Sequence, residues 1–298
     1  MRKQFIKTVE EILRNDERSV LLLGDIGVYG FRNSIKELPD RCYNIGILEQ
    51  STIGLAAGLA MQGFIPIFHT IAPFIVERGL EQIKDDFGYQ KLGGNFISVG
   101  ASYDYVPLGA THQCPGDVGI LKNVPEIEIV VPGNPAEFDS LFKQSYADGR
   151  PTYFRLGEKS NSESCDVIFG KANVIRTGKH ATVVAVGPIL DKVKEACKNL
   201  DVTILYYTTL QPFDHDILRK NIHGGKIIIC EPYYSGALAR DISEATVPQR
   251  TQITHIGMPH AFIHNYGTIE DIDMLLGLTA EGIKIKIEKI LDNPADSS

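Results

Sequence analysis

Tyr43-Asn44-Ile45-Gly46-Ile47-Leu48-Glu49-Gln50 is the stretch where an apolar strand gives way to a Gly/Ala-rich helix, Ser51 to Gln62. An acid at such a junction, with apolar residues on both sides, is poorly hydrated. Burying a lone carboxylate is costly, so Glu49 needs a specific partner or a raised pKa. The simpler reading is a helix N-terminal acid favoured by the helix dipole.

The same change from strand to helix recurs on both sides. Candidate strands are Val20–Ile26, Cys42–Ile45, Ile65–Thr70, Phe96–Ala101, Ile127–Val131 and Thr152–Leu156. Candidate helices are Lys3–Arg14, Ser51–Gln62, Pro73–Phe87, Asp117–Asn123 and Pro135–Ala147. Continuous β-branched strands separated by helices imply a parallel sheet covered on both faces. Ligands in such folds bind at the carboxyl ends of the strands, where Gly24-Asp25, Glu49 and Gly109–Gln113 fall. The polar run Gly157 to Ser164 reads as a linker. Beyond it come strands Thr182–Val186, Thr203–Tyr207, Ile227–Cys230 and Gln252–Ile256, with helices Leu190–Asn199, Asp214–Asn221, Ala237–Val247 and Thr279–Leu291. The expectation is two α/β domains, residues 1–160 and the smaller 170–298, with no internal repeat and no low-complexity tract beyond Asp296-Ser297-Ser298.

Composition narrows the function. The chain has 298 residues and a formal net charge of -7 with no basic block, which argues against phosphate-driven nucleic-acid binding. Cys42, Cys114, Cys165, Cys197 and Cys230 are scattered without a C-x-x-C pair, so reduced cytoplasmic thiols are expected rather than disulfides or a zinc site. Met1 runs straight into an amphipathic helix, with no signal-peptide pattern. Ser51 to Val76 lacks Asp, Glu, Lys and Arg, yet Gln62-Gly63, Pro66 and His69 interrupt it. It reads as a buried helix, turn and strand rather than a membrane span, and Gly54-x-x-x-Gly58 makes a face for close packing against protein.

Several motifs agree in order and spacing with one family. Gly46-Ile47-Leu48-Glu49-Gln50 followed by Gly54-Leu55-Ala56-Ala57-Gly58 resembles the pyrimidine-binding domain of thiamine-diphosphate enzymes of the transketolase superfamily. Gly109-Ala110-Thr111-His112-Gln113 resembles the transketolase Gly-Pro-Thr-His-Gln loop. The run from Leu121 to Pro135 and the ending Gly277 to Ile283 are similar to the family's later segments. The resemblance covers essentially the whole chain but only the last two domains of transketolase. The diphosphate-binding domain, marked by Gly-Asp-Gly and a downstream Asn, finds no match with the right spacing in Gly24-Asp25-Ile26-Gly27 or Gly116-Asp117-Val118-Gly119. The resemblance therefore implies the C-terminal subunit of a split transketolase. A separate N-terminal subunit would complete a heterotetramer and supply the Mg²⁺ ligands.

Residue roles follow from the same resemblance. Glu49 shares a proton with the aminopyrimidine ring of thiamine diphosphate, whose thiazolium carbon does the chemistry. Phe74 packs on that ring, Ile71 gives an aliphatic wall, and Asp25 matches a family acid near the cofactor. His112 matches a histidine that reaches substrate oxygens, with Gln113 as its polar neighbour and His69 as a further candidate. Arg78 reads as either a site residue or a solvated helix cation, with a slight preference for the latter, and His260, His264 and Tyr266 as interface or loop residues.

Departures bear on the substrate. Leu108 stands where transketolase has a sugar-reading Asp, Gly100 where it has a His, and Glu158 at a phosphate-binding Arg. An acid repels phosphate, so Arg155 is the candidate substitute, while Arg2 lies at a terminus expected to fray. A ketol transferase acting on sugars or sugar phosphates is the leading expectation. A 2-oxo-acid decarboxylating enzyme, like dehydrogenase beta subunits or deoxyxylulose-phosphate synthase, and a non-catalytic partner subunit stay open.

Overall fold

A computed structural model of the chain describes residues 1–292, and Asp296-Ser297-Ser298 lie outside the described residues. Helix α1 (Arg2–Asn15) buries Phe5, Val9, Ile12 and Leu13, an i, i+4, i+7, i+8 stripe. Strand β1 (Ser19–Leu23), α2 (Arg32–Glu37), β2 (Cys42–Asn44), α3 (Glu49–Met61) and β3 (Ile65–Ile71) follow. Then come α4 (Ala72–Val76), α5 (Leu80–Gln82), a π-helical stretch Ile83–Tyr89, β4 (Gly94–Val99) and a 3₁₀ segment Val106–His112. Helix α6 (Asp117–Leu121), β5 (Glu128–Val130), α7 (Pro135–Ser145) and β6 (Pro151–Arg155) end the first half. The second half runs β7 (Asn173–Arg176), β8 (Thr182–Val186), α8 (Leu190–Ala196), β9 (Thr203–Tyr207), β10 (Thr209–Gln211), α9 (His215–Lys220), β11 (Lys226–Tyr234), α10 (Ala239–Thr246), β12 (Gln252–Met258), α11 (Ile269–Leu276) and α12 (Ala280–Asp292).

Two sheets result, in the order β10-β5-β6-β4-β3-β1-β2 and β12-β11-β8-β9-β7. Every pairing is parallel except at two edges, where β10 runs antiparallel to β5 and β7 antiparallel to β9. Every residue of β1, β4, β6, β8 and β9 is buried, as strands covered on both faces must be. This is the α/β architecture expected from the alternating runs.

Four departures have physical reasons. Strand β10 comes from the second half yet extends the first sheet, so the halves are stitched by backbone pairing. Short, half-polar segments such as β7 and β10 carry no periodic signal. The expected helix Pro73–Phe87 is broken at Gly79, where a Cβ would sit 2.3 Å from Ile53 Cδ1 and 2.7 Å from the Ile75 carbonyl oxygen. The chain can cross α3 that closely only without a side chain. The linker Gly157–Ser164 has no regular structure, yet Asn161 is buried and donates to the Gly187 carbonyl. The linker is therefore pinned to the second half. The Gly54 and Gly58 face of α3 is only partly covered: a Cβ on Gly54 would lie 3.7 Å from Asp86 Oδ2, whereas one on Gly58 would meet nothing within 4 Å. No described helix is long and apolar enough to cross a membrane.

Candidate active site

Gly46, with φ at +88°, turns the chain out of β2 and sets Glu49 as the first residue of α3. Glu49 is only 1 % exposed, and its partner comes from just beyond the end of α4. Arg78 Nη1 donates to Glu49 Oε2 at 2.5 Å. Glu49 Oε1 is buried and has no hydrogen-bond partner. The Arg78 guanidinium lies 4.2 Å from the centroid of the Phe74 ring, a cation–π contact. His112 meets the same ring edge-on, at 5.4 Å and 72°. Its Nδ1 is 2.9 Å from Thr111 Oγ1. Glu49, Arg78, Phe74 and His112 thus form one continuous cluster at the carboxyl ends of the first sheet's strands.

Two further expected residues border it. Asp25, in the left-handed region at φ +60°, is exposed and locked to Asn44: its N–H donates to Asn44 Oδ1 at 3.0 Å, and Asn44 Nδ2 donates back at 3.1 Å. Asn44 Oδ1 also accepts from Gly46 N, which ties Asp25 to the turn before Glu49. Ile71 ends β3, and its Cγ2 lies 3.2 Å from where a Cβ on Gly100 would stand. The Tyr105 ring fills that space at 2.4 Å, which is why position 100 carries no side chain.

Three expected residues are placed elsewhere. Gln113 follows His112 but turns inward; its buried Nε2 is unpartnered in a pocket with Glu77, Tyr234 and Phe262. His69 is fully buried with its ring 4.4 Å from Phe5, and Nδ1 donates to the Ile97 carbonyl at 2.8 Å. Burial lowers its pKa to about 4, so it is neutral at pH 7; its ring packs against α1, and its buried Nε2 has no partner. Arg155 is likewise committed: Nε donates to Asp117 Oδ2 at 2.7 Å, and Nη2 donates to Ser102 Oγ. The idea that Arg155 replaces a phosphate-binding Arg meets this buried ion pair, which leaves its guanidinium facing Ser102, Asp117 and the Tyr233 ring.

Arg78, which from the sequence is either a site residue or a solvated helix cation, is the half-exposed partner of the buried Glu49. The Phe74–Arg78 spacing of four, which puts both on one helix face, is the signal that points to it. Among the described residues no group of three or more His, Cys, Asp or Glu is placed to hold a metal ion.

Fold and site together define a class: a parallel-sheet α/β chain with a buried carboxylate site at the strand ends. Comparison with known proteins sharpens it. Residues 1–162 match the family described as transketolase, pyrimidine binding domain, and residues 170–283 match transketolase, C-terminal domain. The chain is 37 % identical over 292 residues to an uncharacterized 33.6 kDa protein in the fasciation locus of Rhodococcoides fascians, covering 96 % of this chain and 93 % of that one. It is 29 % identical over 295 residues to an apulose-4-phosphate transketolase subunit of Phocaeicola vulgatus, covering 95 % and 94 %. Among solved structures, one described as a split gene transketolase, inactive beta4 tetramer, superposes with a TM-score of 0.85 at 25 % identity, covering 97 % of each chain. This chain belongs to the transketolase family, and it is a transketolase-like transferase.

Proposed function

We propose that the chain is the pyrimidine-binding subunit of a split transketolase, working with a separate subunit that binds the cofactor's diphosphate and Mg²⁺. The observation that carries this is Glu49 Oε1, a buried carboxylate oxygen with no partner, on a residue that Arg78 links to the Phe74 ring. Buried polar atoms are normally paired, so an unpaired one in the cluster that also holds Phe74 and His112 marks a place for a ligand's N–H. The aminopyrimidine of thiamine diphosphate fits that acceptor and that flat face.

Thiamine diphosphate, when bound, supplies the acidic thiazolium carbon through which a two-carbon ketol unit passes from a ketose to an aldehyde. The chain's own residues do the rest. Glu49 Oε1 holds the proton of the pyrimidine ring nitrogen, in a site where water cannot compete. Phe74 and Ile71 pack on the ring, and Asp25 borders it from the β1 end. His112 Nε2 gives or takes a proton at a substrate oxygen, since imidazole does both near neutral pH. The substrates are sugars or sugar phosphates, the class named for the Phocaeicola relative. The tetramer described as inactive for the split-gene neighbour supports self-association and a need for the second subunit, hence a heterotetramer of two chains of each kind. The reduced thiols support a cytoplasmic setting.

The test is Glu49→Gln in the reconstituted two-subunit complex. Ketol transfer is expected to fall by roughly 10²–10⁴-fold while circular dichroism and melting temperature hold. Activity within a factor of two of the parent would sink the assignment.

A further inference from the structure

Arg78 lies on the Phe74 face that the proposed function gives to the pyrimidine ring, and on the carboxylate oxygen of Glu49 next to the unpaired one. Its Nη1 donates to Glu49 Oε2 at 2.5 Å, and its guanidinium lies 4.2 Å from the Phe74 ring centroid. A guanidinium is planar, with N–H donors around its edge. An aminopyrimidine is also planar, with nitrogen at its edge. The two groups therefore ask the same things of this site: a carboxylate for the edge and an aromatic face for the plane.

The two members of the ion pair differ in freedom. The Glu49 side chain is 1 % exposed and anchored at the start of α3, whereas the Arg78 side chain is 41 % exposed. Arg78 can rotate into water and keep its charge hydrated. Glu49 cannot leave, and without a partner it would be a lone buried carboxylate. The arrangement neutralises Glu49 with a cation that is free to go. Its contacts are a half-exposed ion pair and a cation–π contact, both of which are modest in strength.

We propose that Arg78 is a loading gate. Its guanidinium holds the pyrimidine seat against Phe74 and Glu49, and it swings to solvent when thiamine diphosphate enters. This inference rests on the proposed function, because it takes Glu49 and Phe74 as the pyrimidine seat. It makes Arg78 a residue that sets how fast and how tightly the cofactor loads.

The experiment uses the chain reconstituted with its partner subunit and Mg²⁺, in parent, Arg78→Met and Arg78→Lys forms. Thiamine diphosphate binding is followed by calorimetry and stopped-flow circular dichroism. Removing the competing guanidinium is expected to raise the association rate and tighten binding roughly tenfold in Arg78→Met. Arg78→Lys, which keeps the charge but loses the planar stack, should fall between the two and also serves if the Met variant folds poorly. The direction is diagnostic, because losing a cation would by itself slow the arrival of an anionic cofactor. Unchanged or weaker binding in Arg78→Met, with the parent complex binding normally, overturns the gate and leaves the proposed function standing. A parent complex that binds no thiamine diphosphate overturns both.

Discussion

Asp117 shows how a single residue changes meaning between sequence and structure. It sits at the first turn of α6, where an acid is ordinary, and it has no exposed surface. Its Oδ2 accepts from Arg155 Nε at 2.7 Å and from Tyr153 O–H at 2.9 Å, while Oδ1 accepts from Val118 N. Asp117→Ala would leave the Arg155 guanidinium charged, buried and unpaired. The expected loss is about 3–5 kcal/mol in urea unfolding, and a double change to Asp117→Leu with Arg155→Met should recover most of it. Gly100 is the second residue with a sharp expectation. Its φ of +73° and the 2.4 Å approach of Tyr105 mean that Gly100→Ala strains the backbone and displaces that ring at once. A loss of about 1–3 kcal/mol is expected, read in the same unfolding series. Glu49 itself was legible in the sequence because a charged residue in an apolar run is an energetic anomaly wherever the chain goes. Arg155, Asp117 and His69 were not, since their roles depend on partners 28 to 53 residues away.

At the scale of elements, the segment from α4 to the π-helical stretch matters most, because it delivers both Phe74 and Arg78. Apolar periodicity there suggests one long helix. The close crossing over Ile53 of α3 breaks it instead at Gly79. Gly79→Ala should therefore cost about 1–3 kcal/mol through overpacking, seen as a lower urea midpoint with an unchanged slope. The buried parallel strands β1, β4, β6, β8 and β9 were readable because both of their faces are covered, which forces a continuous apolar run. Edge strands β7 and β10 and helices α2 and α11 were not. Each is short, and what holds it in place lies elsewhere in the chain.

At the scale of the molecule, the two halves meet at a charged junction. Lys192 donates to Asp273 Oδ2 at 2.7 Å, Lys159 pairs with the same oxygen, and Tyr103 O–H donates to Asp273 Oδ1. Asp104 lines the same cavity and accepts from Glu158 N. Burial raises the Asp104 pKa to about 7, while burial and the nearby Lys159 ammonium lower that of Lys192 to about 7. The signs follow from proton counts. Folded Asp104 keeps a proton the unfolded chain has lost, so its contribution to stability falls as pH rises from near 3.8 to about 7. Folded Lys192 lacks a proton the unfolded chain keeps, so its contribution recovers as pH rises from about 7 toward 10.5. Together they put a dip in stability near neutral pH. Melting curves from pH 5 to 10 should show Asp104→Asn gaining more at pH 8 than at pH 5, and Lys192→Met gaining more at pH 7 than at pH 9.5. A parallel offset at every pH would dismiss the assignment.

The order of residues along the chain was enough to set the alternation of strand and helix, the covered parallel sheets and the anomalous position of Glu49. Each of these rests on local apolar pattern or on the cost of hiding a charge, which neighbours along the chain already fix. Folding in three dimensions was needed to pair Glu49 with Arg78, to turn His112 to Phe74 while Gln113 turns away, and to spend Arg155 and His69 inside the fold. Those outcomes depend on which distant side chains arrive at hydrogen-bonding distance, and that is set by strand order and by the angles at which helices cross.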